Sequence, residues 1–270
     1  MSGSIVLSRF CSFGTGGKAN IKRLTNTREL SLLADASVVL GKGTNVLISD
    51  DGVDGLVLIN ELCGYEFNGE SVTAYSGISL PLLCKECKNR ELSGLEWASG
   101  LPGSVGGAVK MNAGAFGGNI ASVIESVTVY RSDKFITLTP NECGFTYRGS
   151  KIDGFIVSAR FRLKREKAST ITQKTLEFAK RRTLTQPKGK SAGSVFKGAD
   201  KPAGWYIERA GLKGARVGGA VISEKHANFI LNDDGASSSE IYELMTKAER
   251  KVYEIFGVKL EREIILIGEF

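Results

Sequence analysis

Twenty consecutive residues, Ser99 to Gly118 (SGLPGSVGGAVKMNAGAFGG), carry seven glycines and no acidic side chain. Each glycine inside a helix or strand costs roughly 0.5–1 kcal/mol relative to alanine, so a run this dense resists any long regular element. It instead predicts bare backbone, whose amides can converge on an anion and whose φ angles can turn positive where a nest requires it. A second such stretch, Leu40-Gly41-Lys42-Gly43-Thr44-Asn45-Val46, lies between two apolar runs. Either stretch alone also reads as a tight turn between strands; the pairing favours a cradle for phosphate oxygens. Neither fits a common nucleotide fingerprint. Gly41-x-Gly43-x-x-Val46 lacks the third glycine of the Rossmann turn, and Gly189-Lys190-Ser191 has Leu184 where a P-loop needs its leading glycine.

Around these stretches the chain alternates short apolar runs with Gly and Asn punctuation. Val38–Leu40, Val46–Ile48, Leu56–Ile59, Val72–Tyr75, Val123–Tyr130, Phe135–Leu138 and Phe155–Leu163 read as strands. Lys164 to Arg182 is rich in basic residues around Ile171, Leu176 and Ala179, which predicts a linker entering a basic amphipathic helix and a boundary near Arg165. A second helix is predicted from Ile241, Leu244, Met245, Ala248, Val252, Ile255 and Phe256, opened by the capping box Ser237-x-x-Glu240 and closed by Gly257. Val258 to Ile267 reads as a closing strand. The mixture lacks regular strand–helix alternation, so the expected class is α+β.

With 270 residues the chain can hold two or three structural units, and its net charge of +7 points to an anionic partner. Basic and acidic residues are interspersed, without RNP motif, zinc-finger spacing or basic arm, so a small anionic ligand suits the pattern better than nucleic acid. No run of eighteen apolar residues occurs, and MSGSIVLSRF lacks the form of a secretion signal, so a cytoplasmic protein without membrane contact is expected. The five cysteines, at 11, 63, 84, 87 and 143, do not form a disulfide framework. Cys84 and Cys87 recur with Leu80 and Leu83 at helical spacing and are read as a packed face; no metal site is expected.

The Ser99–Gly118 stretch resembles a segment of the UDP-N-acetylenolpyruvoylglucosamine reductases. Further blocks match in the same order: Gly41–Asn45, Phe145–Ser150, Ser191–Lys197, Ala210–Gly214, Ser223–Phe229 and Leu260–Ile264. The resemblance implies an α+β architecture in which a vanillyl-alcohol-oxidase-type FAD-binding unit of two α+β subdomains (about 1–62 and 63–165) precedes a smaller α+β substrate-binding domain (166–258). Residues 259–270 would form a closing strand carrying Glu263. FAD would be held through Gly41, Lys42, Gly43, Thr44, Asn45, Ser99, Gly100, Pro102, Gly103, Ser104, Gly106, Gly107, Asn112, Ala113 and Gly114. His226 lies outside the flavin unit, so non-covalent FAD is expected.

The implied reaction reduces UDP-N-acetylglucosamine enolpyruvate, a step in peptidoglycan precursor synthesis. NADPH as co-substrate reduces the flavin, which passes hydride to C3 and leaves carbanion character at C2. The protein must supply position, charge and a proton. The resemblance puts the proton donor on Ser194, a carboxylate-holding guanidinium on Arg148 and an orienting carboxyl on Glu263. Read without it, Ser194 is a turn hydroxyl, Arg148 a strand-end surface arginine and Glu263 a strand residue free to salt-bridge at the surface. Lys197, His226 and Asn228 are read as substrate contacts; His226 and Asn228 equally read as caps of the strand Phe229–Leu231. Lys180, Arg181 and Arg182 suit a diphosphate or a solvated helix face.

Two departures bear on the substrate: Lys197-Gly198-Ala199 replaces the usual Lys-Asn-Pro, and Gly14 and Lys18 replace a usual basic residue and proline. The short interval from Arg148 to Ser194 resembles the subtype without an inserted tyrosine loop. A monomer is the family expectation. Another FAD oxidoreductase of the same fold, acting on a hydroxy acid or sugar, and a non-catalytic nucleotide binder are the competing readings.

Overall fold

The computed structural model describes residues 4–270. The chain divides into two compact units, each built from discontinuous segments: Met1–Lys22, Asp35–Val57 and Thr185–Phe270 form one, Arg23–Ala34 and Leu58–Leu184 the other. The division before Thr185 falls later than the boundary expected near Arg165.

The second unit centres on a five-stranded antiparallel sheet in the order Lys134–Leu138, Ile124–Arg131, Phe155–Arg162, Ser71–Tyr75, Tyr65–Asn68. Its central strand sets Ala159 opposite Val127 on one side and Ala74 on the other. Phe161, Val127, Val129 and Val72 are fully buried, and each such side chain contributes roughly 1.5–3 kcal/mol by leaving water. Helix α1 (Leu80–Asn89) adds Leu80, Leu83, Cys84 and Cys87 to the same core. Burial raises both thiols, Cys87 to about 12 and Cys84 further, so neither is a reactive thiolate at neutral pH. Helix α2 (Val105–Lys110) interrupts the glycine stretch. The basic helix α3 (Ala168–Thr185) stays with this unit because Phe178 stacks on Phe116 at 5.7 Å, with the Arg181 and Arg182 guanidinium carbons 5.0 and 5.4 Å from the Phe116 ring.

In the first unit, Val46–Ile48 pairs in parallel with Ile265–Ile267, burying Leu47 and Ile48. Helix α4 (Ala203–Arg209) and a small sheet of Arg216–Val217, Ala220–Ile222 and Ile230–Asn232 lie between them in the chain. Helix α5 (Ser238–Phe256) has the expected capping box from Ser237 and Glu240, and Gly257 ends it at φ 68°. It buries Ile241, Leu244, Met245, Ala248 and Val252.

The closing strand is shorter than expected, spanning Ile265–Ile267 alone. Residues 261–264 are drawn out of it because their main chain bonds to 195–197: Lys197 N–H donates to the Glu261 carbonyl and Glu263 N–H to the Val195 carbonyl, both at 2.8 Å. Glu263 therefore precedes the strand instead of lying within it.

Candidate active site

Ser194 and Glu263 share the first unit. The residue after Ser194, Val195, gives its carbonyl to Glu263 N–H at 2.8 Å and its N–H to the Asn228 carbonyl at 2.9 Å. Phe196 and Arg262 form an isolated antiparallel bridge beside it. Segment 194–197 is thus laced between 226–229 on one side and 261–264 on the other. Asn45 reaches the same assembly, its Nδ2 donating to the Glu263 carbonyl at 3.0 Å and its own carbonyl accepting from Ile265 N–H at 3.0 Å.

Arg148 belongs to the second unit and is held differently. It occupies the tight turn between Thr146 and Gly149, where Thr146 N–H donates to the Gly149 carbonyl at 2.9 Å, and its φ is 58°. A non-glycine residue in that left-handed region carries about 1–2 kcal/mol of strain, which must be repaid by its surroundings. The repayment is visible: Arg148 Nη1 donates to the Gly114 carbonyl at 2.9 Å, and its guanidinium carbon stands 5.2 Å from the Tyr147 ring centre. Asn112 secures the turn, with Nδ2 donating to the Thr146 carbonyl at 2.9 Å and Oδ1 accepting from Ala121 N–H at 3.0 Å.

Protein packing accounts for several of the glycines. A Cβ on Gly43 would come 1.7 Å from the Phe10 carbonyl oxygen, one on Gly106 2.7 Å from Ser76 Cβ, and one on Gly118 2.3 Å from Trp97. On Gly114 it would meet the Gly118 carbonyl oxygen at 2.8 Å. These four glycines are demanded by protein packing. The amides of Val105 and Gly106 donate to Ile78 and Ser76 carbonyls, and Gly107 N–H to the hydroxyl of its N-cap Ser104. Ala113 N–H bonds the Ala108 carbonyl. The amides of Val105, Gly106, Gly107 and Ala113 are thus already bonded within the protein.

Other features fit a bound diphosphate. No acidic residue lies between Asp35 and Asp50 or between Glu96 and Glu125. A Cβ on exposed Gly107 meets nothing nearer than Ser104 Oγ at 3.4 Å, so the fold leaves that face open. Ser99, Gly100, Pro102 and Gly103 lead into it, with Gly103 at φ 144° accepting from Leu80 N–H. Within this unit, the amides and hydroxyls of 99–107 have the donor chemistry that an anion such as a diphosphate accepts from.

A model of the UDP-N-acetylenolpyruvoylglucosamine reductase C-terminal domain matches residues 185–267, and a model of an FAD binding domain matches residues 33–134. A UDP-N-acetylenolpyruvoylglucosamine reductase of Thermotoga petrophila is 42% identical over 96% of this chain and 95% of its own length. The chain belongs to the UDP-N-acetylenolpyruvoylglucosamine reductase family. A relative of the same name from Latilactobacillus sakei is 37% identical over 97% of the chain and 92% of its own. The crystal structure of the Thermus caldophilus reductase superposes with a TM-score of 0.88 at 36% identity, covering 98% of both chains. The α+β fold is therefore that of the reductase family.

Three asparagines hold main chain in the segments of the candidate catalytic residues. Asn45 and Asn112, expected at the flavin, and Asn228, expected at the substrate or as a strand cap, bond the main chain of Glu263, of Thr146 two residues before Arg148, and of Phe196 two residues after Ser194. Asn228 Oδ1 accepts from Phe196 N–H at 3.0 Å and its Nδ2 donates to the Phe196 carbonyl at 2.8 Å. Asparagine spacing along the chain carries no signal of this, because the partners are remote in sequence. Lys197 forms an ion pair with Glu261, which the sequence reading did not name. His226 is driven neutral by burial, and its Nδ1 accepts from Asn228 N–H at 3.2 Å, placing its remaining proton on Nε2. Its carbonyl accepts from Phe229 N–H, so the capping reading holds for the turn before Ile230.

Proposed function

We propose that the chain catalyses the NADPH- and FAD-dependent reduction of UDP-N-acetylglucosamine enolpyruvate to UDP-N-acetylmuramate in peptidoglycan precursor synthesis. When bound, FAD would supply hydride chemistry, carrying the hydride of NADPH to C3 of the enolpyruvyl ether. Ser194 Oγ donates its proton to C2; a hydroxyl is a weak acid, but the electron-rich carbon it meets is a strong base. Arg148 pairs with the substrate carboxylate, whose charge grows in the transition state, and a permanent cation with fixed N–H donors stabilises that growth. Glu263 orients the Ser194 hydroxyl and helps restore its proton after transfer. Lys197 and the Nε2–H of His226 contact the sugar nucleotide.

The observation that carries these roles is the hydrogen bond from Glu263 N–H to the Val195 carbonyl at 2.8 Å, which joins the segments of the hydroxyl and the carboxyl despite their separation in sequence. Backbone amides of 41–44 and of Gly100, Gly103 and Ser104, with Lys42, hold the FAD diphosphate without a covalent link. The enzyme acts as a cytoplasmic monomer; among the described residues no helix is long and apolar enough to cross a membrane. The test is direct: purified protein should release FAD on heating, and beyond the single equivalent that reduces its flavin it should consume NADPH only when the enolpyruvyl sugar nucleotide is present, yielding UDP-N-acetylmuramate. A yellow protein indifferent to that substrate would point to a different flavin oxidoreductase, and a colourless one that binds no added FAD would end the proposal.

A further inference from the structure

Asn228 is 6% exposed and its side chain serves one neighbour. Its amide clasps both main-chain groups of Phe196, and its own carbonyl takes Val195 N–H at 2.9 Å. Three hydrogen bonds therefore run from one residue to the two residues that follow Ser194. On the other side of Ser194 stands Gly193, at φ 78°, with nothing beyond its chain neighbours within 4 Å of where a Cβ would lie. The serine is bracketed by a glycine that fixes nothing by packing and a clasp that fixes a great deal.

Serine has one heavy-atom side-chain torsion, so its main chain confines Oγ to three staggered positions, and a shift of that main chain moves all three. The main chain that Asn228 grips also carries the Val195 carbonyl bond to Glu263 N–H, so a shift in the clasp displaces the hydroxyl relative to that segment. The residue type is specific to the task. An asparagine amide presents a donor and an acceptor side by side, as a peptide does in an antiparallel ladder; aspartate has acceptors only, and glutamine is one methylene too long.

We infer that Asn228 is a positioning residue for proton transfer, acting through Ser194 and not on the substrate. The inference rests on the reading of Ser194 as proton donor, and the experiment separates the two. Rapid mixing follows flavin reduction by NADPH and then its reoxidation by UDP-N-acetylglucosamine enolpyruvate, while the flavin spectral shift gives the substrate Kd. Asn228→Ala is expected to keep its FAD and its rate of reduction by NADPH. Its saturating reoxidation rate should fall about 10–100-fold with Kd changed less than about threefold, the pattern of a lost transition-state arrangement. In a Ser194→Ala background the same substitution should cost less than about threefold further, because residues acting through one group are not additive.

Asn228→Asp keeps an acceptor for Phe196 N–H and carries the same comparison if the alanine variant does not fold. A Kd raised tenfold or more at unchanged saturating rate would make Asn228 a substrate contact and overturn the inference. So would an unchanged reoxidation rate, or full multiplication of the two losses in the double variant. If Ser194→Ala alone leaves reoxidation intact, the reading of the donor fails first, and the inference with it.

Discussion

The segments of Ser194 and Arg148 solve one problem in two ways. Ser194 follows a glycine and is held through the peptide groups after it, by Asn228 and by Glu263 N–H, with no left-handed residue other than that glycine. Arg148 sits in a left-handed turn, is secured at the main chain by Asn112, and is secured again at its guanidinium by the Gly114 carbonyl. The difference follows from side-chain length. A hydroxyl one bond beyond Cβ has three staggered positions that all move with the backbone, whereas a guanidinium at the end of four torsions needs a second anchor near its head.

This contrast is exposed to several measurements. The largest effect is expected at the arginine head: Arg148→Lys keeps a positive charge but loses the planar fork, and substrate reduction should drop about 100- to 1,000-fold with NADPH-dependent flavin reduction unchanged. A loss under tenfold would mean charge alone suffices and the Gly114 anchor is incidental. Next, Asn112→Gly preserves the left-handed backbone, φ 41°, while deleting the clasp on Thr146. Substrate reduction should fall about tenfold, of the order expected from losing one hydrogen-bonded support of 1–1.5 kcal/mol. Loss of FAD instead would return Asn112 to the cofactor.

Strain can be weighed separately. In thermal unfolding, Arg148→Gly should be more stable than Arg148→Ala by about 1 kcal/mol, since only glycine tolerates φ 58° without penalty. Equal stabilities would remove strain from the account. The smallest effect concerns His226, whose Nδ1 accepts from Asn228 N–H only while unprotonated. Burial holds its folded pKa below the usual 6.5, so the unfolded chain binds the proton first as pH falls. Its stabilisation is complete above pH 6.5 and is lost as pH drops through that value toward the lower folded pKa. His226→Gln should flatten this part of the melting-temperature profile; a profile identical to wild type would contradict it.

Much of the fold was legible because it is local. The strands from Val38 to Leu163, the capping box of α5 and the buried face of α1 follow from apolar periodicity and turn chemistry within a few residues. The motif blocks carried Ser194, Arg148 and Glu263 through resemblance. What could not be read were partners remote in sequence: nothing near Asn45 or Asn112 along the chain announces the Glu263 and Thr146 carbonyls they hold. The glycines show the same limit, since Gly43, Gly106 and Gly118 serve packing against Phe10, Ser76 and Trp97 that no local pattern announces. The closing strand was overdrawn for a related reason, as 261–264 trade strand pairing for bonds to 195–197.

The central claim is that the Ser194 hydroxyl delivers the proton, and single-turnover kinetics of Ser194→Ala test it most directly. The account predicts flavin reduction by NADPH at the wild-type rate, wild-type substrate affinity, and reoxidation by the enolpyruvyl sugar nucleotide slowed at least about 1,000-fold, within the range for loss of a positioned acid. Reoxidation at the wild-type rate, or equal slowing of both half-reactions, would contradict it.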